Sequence, residues 1–135
     1  RSLAKMGLMR SGSIASQRGA VTIGSSAFSS ARNLLVNGRI SLNRLKDFVP
    51  GSTPNTFVPS ASISYGQKFS FMLGAEKVVV KFHSPDAVAA IKYAGSNSGS
   101  HFTAQIKIGN KLLGSDGILY KNANNLTHIL IEDFL

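Results

Sequence analysis

The chain has 135 residues, enough for one domain with a core of its own, and no apolar run near the roughly 18 residues that cross a bilayer as a helix. Hydrophobic residues make up 43%, which excludes a disordered chain, and the lack of cysteine excludes disulfides, a thiolate nucleophile and cysteine-ligated zinc. Fifteen lysines and arginines against six acids leave a formal net charge of +9, which favours a polyanionic partner, nucleic acid first.

That charge is uneven. Residues 1–50 hold eight basic residues against Asp47 alone, whereas 51–135 hold seven lysines against five acids. Arg1–Gly24 is rich in Ser, Gly, Ala and Arg; Leu3, Met6 and Met9 suggest a short amphipathic helix that Gly7 and Ser11-Gly12-Ser13 weaken. Residues 1–24 therefore read as a connector and 25–135 as a single domain. An arginine at position 1 predicts a fragment of a longer protein.

The first helix expected in the domain is capped by Ser25 or Ser26, with Phe28, Ala31, Leu34 and Leu35 at helical spacing and Asn37-Gly38 as a left-handed stop. A second starts at a Ser41 cap, buries Leu42, Leu45 and Phe48 or Val49, and ends at Pro50-Gly51. Arg39, Arg44 and Lys46 lie about this junction, where they can grip phosphates or simply keep the helix wet.

Residues 50–66, with Pro50, Pro54 and Pro59 among Ser, Thr and Asn, predict a long loop. A hairpin follows: Gln67–Leu73, the Gly74-Ala75-Glu76 connection, then Lys77–His83. Ala87–Tyr93 predicts a turn of helix and 95–100 a Gly/Ser-rich loop. Strands at His101–Ile108, Lys111–Leu113, Ile118–Tyr120 and Thr127–Glu132 complete the chain, with Asn122–Asn125 as a loop. Helices first and strands afterwards predict an α+β fold, N-terminal helices packed on a twisted antiparallel sheet of four to five strands.

Side chains alternate across a strand. In Lys77–His83, Val78, Val80 and Phe82 share one face, and Val79, Lys81 and His83 the other. In the later strand Phe102, Ala104, Ile106 and Ile108 oppose His101, Thr103, Gln105 and Lys107. Two histidines and two lysines thus share the polar faces of strands that can be neighbours. His128, which alternates with Leu130, reads as structural. The three histidines and six carboxylates stand in no metal-ligand spacing, so neither a metal nor another cofactor is expected.

A resemblance adds to this reading. His83-Ser-Pro-Asp86, Gly95-Ser-Asn-Ser98, Phe102-Thr-Ala-Gln-Ile, Gly109-Asn-Lys and Ser115-Asp-Gly117 together resemble the C-terminal toxin domains of bacterial contact-dependent growth inhibition and polymorphic toxin systems. Ala87 stands where a second proline is usual, and Phe102 where a tryptophan is. The resemblance implies a barnase-like ribonuclease fold of the barnase/EndoU/colicin/RelE kind and delivery to a target-cell cytoplasm as part of a secreted or cell-surface protein. It also implies an acidic cognate immunity protein and leaves room for a host activating factor such as elongation factor Tu.

Metal-independent RNA cleavage needs a base for the 2′-OH proton, an acid for the leaving 5′-oxygen and positive charge beside the phosphorus. His83 and His101 suit the proton roles, since imidazole titrates near neutral pH. Lys81 and Lys107 supply charge, and Thr103 a hydrogen bond. Lys68, Ser84, Asn97, Arg39 and Arg44 are the expected substrate contacts. The expected function is an endoribonuclease toxin domain acting on tRNA or other structured RNA, with no membrane span. The alternative is a non-catalytic basic module that binds nucleic acid or protein.

Overall fold

A computed structural model describes residues 26–135. The connector, its Leu3/Met6/Met9 helix and the Ser25 cap lie outside the described residues.

Helix α1 (Ser26–Arg32) buries Ala27, Phe28 and Ala31. It ends earlier than Asn37-Gly38, which does a different job. Both residues have positive φ, 54° and 75°, and between them Val36 and Arg39 exchange backbone hydrogen bonds of 2.8 and 3.0 Å. This is the two-residue reversal that Asn-Gly favours, and it launches a short strand, β1 (Arg39–Ile40), that sequence periodicity does not reveal. Ser41 then caps α2 (Leu42–Phe48), its side chain accepting from the Arg44 N–H at 3.1 Å. Leu45 is the buried contact of this helix, and Val49 ends it before Pro50.

No strand or helix interrupts the loop from Pro50 to Tyr65. The hairpin forms as expected, as β2 (Gly66–Leu73) paired with β3 (Glu76–His83) from Gly66↔His83 to Leu73↔Glu76. Asp86 caps α3 (Ala87–Lys92) by accepting from the Val88 and Ala89 N–H groups. The Gly/Ser-rich segment is not a plain loop: Ser96 caps a single helical turn, α4 (Asn97–Ser100). Gly99 lies so close to α3 that a Cβ would meet the Ala90 backbone at 2.7 Å. Strand β4 (Thr103–Ile108) therefore starts two residues later than expected, because His101 is the α4 C-cap. Strands β5 (Lys111–Leu113), β6 (Leu119–Tyr120) and β7 (Ile129–Ile131) follow.

The fold is α+β, but the sheet is larger than expected and mixed. Seven strands take part, in the order β1-β7-β4-β3-β2 with β5 and β6 branching from β4. The main path has five strands, antiparallel as expected except at β1, which runs parallel to β7 with Ile40 beside Ile131. A parallel neighbour needs no hairpin, and here it comes from opposite ends of the chain. The pair is clamped by Asp133, which accepts from the Leu42 N–H at 2.8 Å, and by an Arg39–Glu132 ion pair at 3.4 Å.

One sheet face holds Val78, Val80, Phe82, Ala104, Ile106, Ile108, Ile129 and Ile131, all buried, under Phe28, Ala31, Leu34 and Leu45 of the helical layer. The opposite face is left to the polar alternates. No helix among the described residues is long and apolar enough to cross a membrane.

Candidate active site

The register of β2, β3, β4 and β7 orders the polar face in rows. Lys68, Lys81 and Gln105 form one row; the next runs through Gly66, His83, Thr103 and Leu130. A shallow cleft of about 380 Å³ opens over the first, bordered by Lys68, Lys77, Lys81, Gln105 and Lys107. No carboxylate lines it, and among the described residues none of its four lysines makes an ion pair.

Lys68 and Lys81 stand directly opposite each other on neighbouring strands. Like charges so placed destabilise a sheet. Burial pushes the Lys81 ammonium below the usual lysine value, and the charge of Lys68 pushes it further the same way. An anion on this face reverses both costs. Lys68→Gln should therefore raise folding stability by about 0.2–1 kcal/mol while weakening the binding of a polyanionic probe to this face. The slope of log affinity against log salt should become shallower by about 0.7, the value for one phosphate contact on a single strand. Thermal melting and fluorescence titration at several salt concentrations check both.

His83 is the last residue of β3, one row beyond Lys81 and outside the residues that line the cleft, and it is buried. Its Nδ1–H donates to the Ser84 carbonyl at 2.7 Å, which leaves Nε2 as the basic nitrogen of the neutral ring. Burial pulls its pKa below the usual histidine value; the Ser84 carbonyl opposes the shift, Lys81 adds to it, Asp86 opposes it and His128 adds to it. The ring is therefore neutral near pH 7 and fit to accept a proton. Across from it, Thr103 is 1% exposed, and its Oγ1 has no hydrogen-bond partner among the described residues. An unpaired buried hydroxyl costs about 1–3 kcal/mol, so Thr103 is a locally costly residue next to His83.

The expected site residues divide into those the fold gathers and those it does not. Lys68, Lys81, Lys107, His83 and Thr103 share the polar face. His101 lies at its rim, where Nδ1–H donates to Ser100 Oγ at 2.8 Å while that hydroxyl donates to the Ser96 carbonyl. Ser84 is committed to structure: its hydroxyl both donates to the Tyr65 carbonyl and accepts from the Tyr65 N–H, each at 3.2 Å. Asn97 is a strut, donating to the His128 carbonyl at 3.1 Å and to the Asn125 carbonyl at 3.4 Å. Arg39 and Arg44 border a separate groove with Val36, Asn37 and Glu132. Arg39 pairs with Glu132, and Arg44 donates to the Asn33 carbonyl at 2.7 Å. These four side chains thus make hydrogen bonds within the fold, and none of them borders the lysine cleft.

Two residues join the site that sequence reasoning left out. Gln105 borders the cleft, and its side-chain nitrogen lies 3.5 Å from Nε2 of His128. The alternation of Gln105 with Thr103 and Lys107 carried that signal; no sequence signal pairs His128 with it. Among the described residues no cluster of three or more His, Cys, Asp or Glu groups is arranged to hold a metal ion.

Comparison with known proteins finds no match to this chain among family models, curated proteins or solved structures.

Proposed function

We propose that this chain is an endoribonuclease domain that binds RNA across its lysine-bearing sheet face and cleaves it at the His83 end without a metal ion. The observation that supports this most is the juxtaposition of a neutral, tautomer-fixed His83 and an unpaired Thr103 hydroxyl with lysines that have no acidic partner. Such a surface is costly for a protein without an anionic ligand, whereas a phosphodiester supplies what each group lacks.

In this reading Nε2 of His83 removes the 2′-OH proton and the 2′-oxygen attacks phosphorus. Lys81 and Lys107 stabilise the charge that develops on the phosphoryl oxygens, and Thr103 donates to one of them. Among the described residues no aromatic side chain borders the lysine cleft, so recognition there runs through the backbone phosphates rather than base stacking. That suits tRNA or another structured RNA. The resemblance described above supports placing the activity in an antibacterial toxin domain, delivered into a competing cell and neutralised at home by an acidic immunity protein.

Purified domain incubated with total RNA in excess EDTA should give defined fragments ending in 2′,3′-cyclic phosphates. Strict dependence on added Mg²⁺ with 5′-phosphate ends would replace this chemistry with a metal-assisted one. An RNA band shifted in a gel but left intact would identify a non-catalytic basic binding module instead.

A further inference from the structure

Cleavage at His83 needs a second proton-transfer group, and the fold offers two imidazoles. His101 is held within its own loop, through Ser100 to the Ser96 carbonyl. It caps α4 at the rim, beyond the Thr103 row. His128 is placed from across the sheet. The pairs Thr103↔Leu130 and Ala104↔Ile129 set it alongside Gln105, on the face that carries Lys81 and His83.

Its geometry repeats that of His83. Nδ1–H of His128 donates to the Asn124 carbonyl at 2.8 Å, which turns Nε2 toward Gln105 at 3.5 Å and so toward the cleft that Gln105 borders. Its backbone is fixed as well, since Asn97 donates to the His128 carbonyl and the Asn124 side chain caps the turn before it, accepting from the Leu126 and Thr127 N–H groups. Strand β4 lies between the strands that bear the two rings. Two interstrand spacings separate β3 from β7, about 10 Å. Thr103 and Gln105 of β4 occupy the rows between the two rings.

We infer that His128, rather than His101, is the second catalytic residue, the acid that protonates the leaving 5′-oxygen, with the Asn124 carbonyl holding its ring. The assignment rests on the RNA-cleavage reading above. The 2′-oxygen–phosphorus bond forms as the 2′-OH proton passes to Nε2 of His83. The phosphorus–5′-oxygen bond breaks as that oxygen takes the proton from Nε2 of His128. The products are a 2′,3′-cyclic phosphate and a 5′-hydroxyl, and exchange with water restores both rings.

A leaving-group substitution tests the assignment. A short RNA and the same RNA with sulfur in place of the bridging 5′-oxygen are cleaved under single-turnover conditions; a thiolate leaves without being protonated. His128→Ala should slow the oxygen substrate by about 10²–10⁴-fold yet cleave the sulfur substrate within about tenfold of wild type. His83→Ala should slow both, and His101→Ala neither. His128→Gln, which keeps a polar side chain beside Gln105, should give the same split if the alanine variant melts early. Wild-type activity in the His128 variants, equal slowing of both substrates by them, or the leaving-group split appearing in His101→Ala each overturns the assignment alone. A wild-type chain inert on both substrates overturns the cleavage reading and the assignment together.

Discussion

Replacing His83 by alanine is expected to lower RNA cleavage by about 10²–10⁴-fold, the usual cost of one general acid or base. RNA binding, which the proposed function assigns to the lysines, should change little. The wild-type pH profile sharpens the expectation. Because burial holds the His83 pKa below the usual histidine value, the base is already free at neutral pH. The acidic limb of the rate profile should fall with an apparent pKa below about 6.5 and vanish with the residue.

Stability should follow the same group. Between about 6.5, the unfolded value, and the lower folded value, the unfolded chain binds more protons than the folded one. His83 therefore favours the fold above that window, and the advantage is lost as pH falls through the folded pKa. His83→Ala should flatten this part of the stability curve. Denaturant titrations at a series of pH values, run beside single-turnover kinetics, measure both; an unchanged rate in a natively melting variant removes His83 from the chemistry.

The largest structural effect is expected from Phe82→Ala. Phe82 is 2% exposed on the helix-covered face of β3, between Lys81 and His83, which point the other way. Its ring also lies 6.4 Å from that of Tyr65, in the segment that Ser84 ties to the end of β3. Truncating a buried phenylalanine costs about 3–5 kcal/mol, a large share of the 5–15 kcal/mol that holds a typical domain together. The denaturation midpoint should drop with little change in slope. Cleavage should fall in proportion to the unfolded fraction, and cooling or low denaturant should restore it. His83→Ala should show the reverse: native stability near neutral pH and no recovery of rate. Phe82→Leu, which keeps most of the volume, should recover much of the loss; a Phe82→Ala chain as stable as wild type would mean that this face is not the core.

Much of the site was legible because alternation is local. Strand residues two apart share a face wherever the strand goes. The run from Val78 to His83 therefore assigns Phe82 to the core and Lys81 and His83 to the polar side with no knowledge of neighbours, and Thr103 and Lys107 follow in the same way. Caps are equally local: Ser41 bonds the backbone N–H three residues ahead. The balance of basic over acidic residues likewise required no structure.

What only the tertiary structure decided depends on residues far apart in the chain. Pairing Ile40 with Ile131 makes the sheet mixed, and placing His128 beside Gln105 brings a third histidine toward the site. Local periodicity is blind to both, because the side-chain period says which face a residue takes and nothing about which strand lies alongside. The same limit applies to the polar residues that bond within the fold. Arg39, Arg44, Ser84 and Asn97 have the chemistry to bind phosphate, but the fold brings Glu132, the Asn33 carbonyl, Tyr65 and the 125–128 turn within hydrogen-bonding distance. Each of those side chains has part of its hydrogen-bonding capacity taken up by the fold, whereas Lys81 makes no ion pair among the described residues.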